Sequence, residues 1–278
     1  MTDPPRVTPS VLRAADECAL RFHRLLAGGA VIVTGDQRRR FALANAIAQA
    51  CRDAHARAEA EAQAMGEGGA AGGAVAEALA DLPPPADLTP EERDALAHAL
   101  ATYGRLARER PARLDARAGQ RFHARDSRTG RFTALAVIDL MVRRAPTHPP
   151  AASAAAAAPA ADPEATQDGV LEVRDLALQP APEPPARSTR AILAALVLGA
   201  PLVHAHWDLR DGQVTETTFA LEDVEALGAS LQARVLATLD AATPPSPTPG
   251  RWCSGCPVLR SCPAVAHATA AVLRGGAP

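Results

Sequence analysis

The sequence predicts an α/β protein, a mixed central sheet flanked by helices, in one domain over residues 1–278. Three observations carry this expectation. Apolar residues in the first 110 positions recur at helical spacing. From residue 113 the period shortens to that of strands. Strand-like and helix-like stretches then alternate to residue 239, an order that suits helices packed on a sheet better than a bundle or a sandwich.

The elements follow in turn. A helix is expected over 8–26, with Thr8 or Ser10 as cap, Pro9 in its first turn, and Leu12, Ala15, Leu20 and Phe22 on one stripe. An apolar run at 30–33 precedes Gly35, and a second helix covers 38–65. The Gly/Ala stretch 66–73 reads as a flexible connector and 82–85 as a proline stop. Thr89-Pro90-Glu91-Glu92 combines a cap, a proline and an acidic first turn, and starts a helix to residue 108. Residues 113–124 alternate, 126–130 form a turn and 132–142 are strongly apolar, so a β-hairpin with a buried second strand is expected. The Ala/Pro-rich stretch 145–168 is expected to be a solvated insertion without structure. A strand at 170–178, a proline-rich break at 180–185, a buried helix at 188–198 and a hairpin of 202–209 with 213–219 around Asp211-Gly212 come next. An amphipathic helix at 221–239 and a linker at 244–249 lead into the cysteine-bearing segment that ends the chain, 244–278 in all.

Composition removes several classes of function. Hydrophobic residues make up 47% but aromatics only 3%, so alanine supplies much of the count and the core is thin. A net charge of −2 excludes a strongly basic nucleic-acid coat and an acidic tail. All 29 basic residues are arginines, so no chemical step here can use a lysine. The first twenty residues lack an apolar leader core, and the longest apolar run, 191–203, is too short to span a bilayer. The expectation is a cytoplasmic protein without a membrane partner, in which clustered cysteines point to metal rather than disulfides.

The sharpest local signal is Trp252-Cys253-Ser254-Gly255-Cys256-Pro257 followed by Arg260-Ser261-Cys262-Pro263, a C-x2-C-x5-C spacing. Two thiolates separated by two residues wrap one metal or cluster, and the third closes from the next turn. A fourth ligand is needed, and Cys18, Cys51 and His267 are the candidates. Zinc with His267 and an iron–sulfur cluster are both open on spacing alone, as is a reading of three cysteines buried near one another.

The stretch Thr8-Pro9-Ser10-Val11-Leu12, with Cys18 and Phe22 after it, resembles the start of RecB-family nuclease domains of the PD-(D/E)XK superfamily, which read S-P-S-x-L and then C-P-x-x-F/Y. Ala19 stands where that pattern has proline. In the iron–sulfur, AddB-type members one N-terminal cysteine joins a C-terminal C-x2-C-x5-C around a 4Fe–4S cluster. The resemblance therefore implies a restriction-endonuclease-like core with Cys18, Cys253, Cys256 and Cys262 as cluster ligands, and leaves Cys51 as a buried small hydrophobe.

The resemblance extends to the strands. Ala136-Val137-Ile138-Asp139-Leu140-Met141-Val142 is similar to the family's G-x-I-D-R-V strand, whose aspartate binds a divalent metal. Leu171-Glu172-Val173-Arg174-Asp175-Leu176-Ala177-Leu178 stands where the family has D-Y-K-T-G. Carboxylates from two neighbouring strands, here Asp139 and Asp175, would hold Mg²⁺ or Mn²⁺ beside a water-activating lysine. That lysine position is Ala177, the threonine and glycine are Leu178 and Gln179, the metal-binding histidine falls at Asn45, and the glutamine–tyrosine helix corresponds to 188–198 without either residue. Glu172-Val173-Arg174 offers a second register, an acid-x-base motif with arginine for lysine. It requires a one-residue slip, and arginine stays protonated where a water-activating group is wanted.

These residues also have plainer readings. Asp139 in an apolar strand is expected to bind metal or pair with an arginine, and Asp175 to pair with Arg174 or Arg187. Arg38, Arg39 and Arg40 form either a phosphate contact or a solvated helix face. His204 and His206 alternate with apolar residues and read as strand-face residues rather than ligands. The resemblance implies DNA repair or recombination, with DNA ends or single strands and a helicase or repair complex as partners. Hydrolysis is expected to be impaired; an active Mg²⁺- or Mn²⁺-dependent exonuclease and a non-enzymatic metal-bound interaction module are the alternatives.

Overall fold

The computed structural model describes residues 4–28, 35–65, 72–83, 85–115, 117–144, 169–178 and 188–250, together with Cys253, Cys256 and 259–265. The expected apolar run at 30–33, the Ala/Pro insertion 145–168, the proline break 180–185 and the candidate ligand His267 lie outside these residues.

The chain is α/β. It begins with a short strand β1 (Arg6–Val7) and two helices, α1 (Pro9–Glu17) and α2 (Ala19–Leu26). Thr8 caps α1 by accepting from the Val11 N–H at 3.3 Å. The single helix expected over 8–26 is broken at Cys18, whose backbone is extended, with φ −158° and ψ 116°. Cys18 is at once the C-cap of α1, donating to the Ala14 carbonyl, and the N-cap of α2, accepting from Phe22. The apolar stripe runs on across the break, which is why periodicity does not reveal it.

Three helices form the next layer: α3 (Gly35–Ala64), α4 (Gly72–Ala80) and α5 (Pro90–Glu109). α4 falls partly on the expected connector 66–73; Val75, Ala78 and Leu79 are buried there at helical spacing. α5 is the helix expected from Thr89-Pro90-Glu91-Glu92. Thr89 accepts from the Glu92 N–H at 3.2 Å while the Glu92 carboxylate accepts from the Thr89 N–H at 2.9 Å. Gly104 lets α5 approach α4, since a Cβ there would lie 3.2 Å from the Ala76 Cβ.

The expected hairpin is divided between two sheets. Its first half becomes β2 (Ala112–Leu114) and β3 (Arg121–Arg125), and its second becomes β4 (Thr133–Val137) and β5 (Leu140–Arg144). β3 and β4 pair antiparallel in a small sheet of order β1-β4-β3. β2 and β5 pair antiparallel at one end of a second sheet. Both strands leave one sheet for the other at the same level, beside a turn in which Asp115 accepts from the Arg117 N–H at 3.0 Å.

The larger sheet is completed by β6 (Val170–Ala177), β7 (Leu202–Asp208) and β8 (Gln213–Phe219), in the order β2-β5-β6-β7-β8. β6 and β7 run parallel and are joined through α6 (Thr189–Leu198); the other neighbours are antiparallel. Every residue of β7 is buried, as a strand covered on both faces requires. α7 (Leu221–Leu239) matches the expected span.

Two cores lie on opposite faces of this sheet. Leu171, Val173 and Met141 point into the one built with α1, α2, α6, α7 and the small sheet. Leu140, Val142, Leu176, Ala205 and Trp207 point into the one built with α3, α4 and α5.

Candidate functional site

Strand pleating decides which side chains of β6 meet which layer. Residues 172, 174 and 176 face α3–α5, while 171, 173 and 175 face α6. Leu140 pairs with Arg174 in the antiparallel β5–β6 register. One step further along, Asp139 comes beside Asp175, at the point where the chain passes from β4 to β5.

α6 supplies the third member. Ser188 caps it by accepting from the Ala191 N–H at 3.3 Å, which starts the helix over the ends of β5 and β6. Arg190, in its first turn, donates from Nη1 to Asp175 Oδ1 at 2.6 Å and stands 3.9 Å from Asp139 Oδ2. Parallel pairing sets His206 of β7 directly opposite Asp175, with His206 Nδ1 3.5 Å from Asp175 Oδ2. His204 lies on the same face one pleat away; its Nε2 is buried and has no hydrogen-bond partner among the described residues. From α3, Arg52 donates to the Asp139 carbonyl oxygen at 2.6 Å.

The two carboxyls differ electrostatically. Burial raises the pKa of Asp139, the neighbouring Asp175 charge adds to that rise, and Arg190 and Arg52 oppose it. At Asp175 burial acts in the same upward sense, but the His206 contact and the charges of Arg190, His204 and His206 outweigh it and hold the carboxyl well below the usual range. Burial lowers the pKa of His204. The constellation is an ionised aspartate clamped by an arginine and a histidine, with a second aspartate alongside that is more open to solvent, at 29% exposure against 11%.

Glu172 and Arg174 are on the other face. Arg174 donates from Nε to Glu172 Oε1 at 2.7 Å, from Nη1 to the Tyr103 hydroxyl at 3.0 Å and from Nη2 to the Arg110 carbonyl at 3.2 Å. Its guanidinium lies 4.3 Å over the Trp207 ring, and both charged residues are essentially without solvent contact. The sheet register therefore separates Glu172 from Asp139, and Arg174 is not the partner of Asp175. Arg187 lies outside the described residues, and Ala177, in the expected lysine position, is partly buried. Asn45 and Arg38, Arg39 and Arg40 are exposed on α3.

Arg190, His206 and Arg52 are the members that sequence reasoning did not bring to this site. His206 was visible only as one face of an alternating strand, and Arg190 only as a residue after a helix cap. Nothing local connects either with residue 175.

The cysteines occupy two segments. Cys18 is buried and accepts a hydrogen bond at Sγ from the Thr248 N–H at 3.4 Å. Cys253 accepts at Sγ from the Gly250 N–H at 3.4 Å. A succession of turns follows: Cys253 donates to Gly250, Cys256 to Cys253, Leu259 to Cys256 and Cys262 to Leu259. Cys253, Cys256 and Cys262 are half-buried free thiols, and N–H groups directed at sulfur are what a thiolate ligand receives. This donor set suits a cluster or a soft metal by its chemistry. Cys51 is fully enclosed in the α3–α5 core, where burial pushes its thiol pKa up.

Among the described residues no three His, Cys, Asp or Glu side chains are gathered so as to hold a metal ion. At the carboxylate pair a cationic side chain is already seated, Arg190, 2.6 Å from Asp175 and 3.9 Å from Asp139. The residues there do not fit Mg²⁺ or Mn²⁺ while that arginine is in place. A groove of about 900 Å³ lies elsewhere, on the helical layer between α3, α4 and α5, lined by Ala46, Ala50, Leu79, Ala97 and Leu100. No helix among the described residues is long and apolar enough to cross a membrane. The sequence matches no family model and no curated protein.

Proposed function

We propose that this chain is a RecB-like PD-(D/E)XK nuclease-fold protein of the iron–sulfur kind that has lost most or all phosphodiester hydrolysis and serves a DNA repair or recombination complex as a binding scaffold. One observation carries the reading: Asp139, in the bend that leads into β5, comes beside Asp175 of the neighbouring antiparallel strand β6, while Ala177 stands on the strand position where a catalytic lysine is wanted. On this reading the two acids of a metal-dependent nuclease would stand without its general base, whose removal typically costs on the order of 10²–10⁴ in rate.

Cys18, Cys253, Cys256 and Cys262 would hold the 4Fe–4S cluster. Its contribution when bound is structural, tying the helices at one end of the chain to the segment at the other. The Thr248 to Cys18 hydrogen bond supports this, since it already brings the two together. DNA would be engaged through arginines, with Arg38, Arg39 and Arg40 exposed on α3 as the first candidates.

Anaerobic purification, metal analysis and a cleavage assay test the proposal. The expected result is a brown protein with about four irons per chain, lost in Cys18→Ala, that binds single-stranded or end-bearing DNA in low salt and cleaves neither with Mn²⁺. Cleavage that disappears in Asp139→Ala would overturn the loss of catalysis and leave an active exonuclease. A colourless zinc protein indifferent to Cys18→Ala would overturn the iron–sulfur reading and leave a metal-bound interaction module.

A further inference from the structure

We infer that Arg190 is the resident counter-cation of the Asp139–Asp175 pair and shuts divalent metals out of it, so that removing this one side chain uncovers a metal site. The inference stands on the geometry of the pair and does not depend on the nuclease reading.

Two carboxylates converge, one from the bend before β5 and one from β6, and like charges so placed need a cation between them. The side chain of Arg190 fills that role, 2.6 Å from Asp175 Oδ1 and 3.9 Å from Asp139 Oδ2. It is tethered to the first turn of a capped helix, so its effective concentration at the pair is high and no ion has to be desolvated from bulk. Its planar fork also satisfies a carboxylate oxygen directionally, which a free monovalent ion does not. The backbone beside the pair is held as well, because Arg52 reaches across from α3 to the Asp139 carbonyl.

The groups around the arginine are metal donors. His206 Nδ1 is 3.5 Å from Asp175 Oδ2, and His204 Nε2, on the same strand face, is buried without a hydrogen-bond partner. Two carboxylates with an adjoining imidazole suit Mn²⁺ and later first-row ions better than Mg²⁺, which prefers an all-oxygen, largely hydrated shell. A divalent ion entering the wild-type site would have to displace a guanidinium held at hydrogen-bonding distance. With that group gone, the same acids would repel each other until a cation arrived.

The test is Mn²⁺ binding to the full chain, followed by the loss of the free-ion paramagnetic signal, together with thermal unfolding with and without Mn²⁺. Wild type, Asp139→Asn, Arg190→Gln and Arg190→Gln/Asp139→Asn are compared. The wild type should bind no Mn²⁺ that Asp139→Asn removes. Arg190→Gln should bind one ion at least roughly tenfold more tightly than the wild type and lose it in the double variant. Its melting temperature should fall without metal and recover with Mn²⁺, a readout independent of any catalytic activity. Arg190→Met, which keeps the apolar stem, serves in its place if Arg190→Gln does not fold. Equal Mn²⁺ affinity in wild type and variant overturns the inference. So does failure of both variants to fold even with Mn²⁺, since a divalent ion would then be no substitute for the guanidinium. Neither result bears on the iron content or DNA binding that test the proposed function.

Discussion

Arg174 shows how much one side chain can hold in this fold. It lies at the centre of the α3–α5 core, its donors spent on Glu172, Tyr103 and the Arg110 carbonyl and its flat face on Trp207. The Tyr103 hydroxyl in turn meets His55 Nε2 at 2.8 Å, so the network runs from sheet to helix. Glu172 has no exposure, and with the arginine removed it would keep only the longer contact with Arg144, whose Nη1 stands 3.6 Å from Oε2. Arg174→Leu should therefore lower unfolding free energy by about 3–5 kcal/mol in urea, and Arg174→Leu/Glu172→Leu should recover a large part of that loss. A loss in the double variant equal to that in Arg174→Leu would show that the charge on Glu172 is not what is being exposed. In the sequence, Glu172-Val173-Arg174 reads as a second-register acid–base motif, and in the fold it is an internal ion pair. Which of the two it is depends on the face of the sheet it occupies, and three residues cannot state that.

At the scale of elements, local chemistry was legible where it is local. The cap, proline and acidic turn at Thr89 mark α5, and Asp211-Gly212 marks the β7–β8 turn, because each signal acts within a few residues. The α1–α2 break and the division of the hairpin were not legible. In both, the apolar pattern continues while the backbone changes direction, and the change is held by contacts with distant strands. Gly169 is a case where both kinds of constraint meet. It sits at φ +73° just before β6, and a Cβ there would lie 2.6 Å from the Arg144 carbonyl oxygen of the neighbouring strand. Gly169→Ala should cost about 1–3 kcal/mol through strain at that angle and displacement of the β5 backbone, read as a lower melting temperature at unchanged secondary structure. A melting temperature equal to wild type would mean that the β5–β6 end gives way freely.

Across the whole molecule, the two cores on either side of the sheet set how the protein responds to acid. Burial lowers the pKa of His55 to about 3, with the nearby Arg174 charge acting the same way, against about 6.5 in an unfolded chain. As pH falls below 6.5 the unfolded chain takes up that proton and the folded one does not, so stability is lost from there down towards pH 3. His204 is lowered by burial and acts in the same sense. Asp175, with its depressed pKa, stabilises the fold above its unfolded value and loses that contribution only at more acid pH. The melting temperature should fall between pH 7 and 5, and His55→Gln should flatten the decline; a flat wild-type profile over that range would contradict the buried neutral histidine. By itself the sequence determined the α/β class, most helix and strand spans, the absence of any lysine, and the cysteine spacing near the end. These are statements about composition and short-range period, which hold wherever the chain goes. Tertiary structure alone decided that the β5–β6 register sets Asp139 beside Asp175, that α6 delivers Arg190 to both, that β7 adds His206, and that Glu172 turns to the opposite core. Register and helix placement come from burying two apolar faces at once, a long-range condition that no single segment carries.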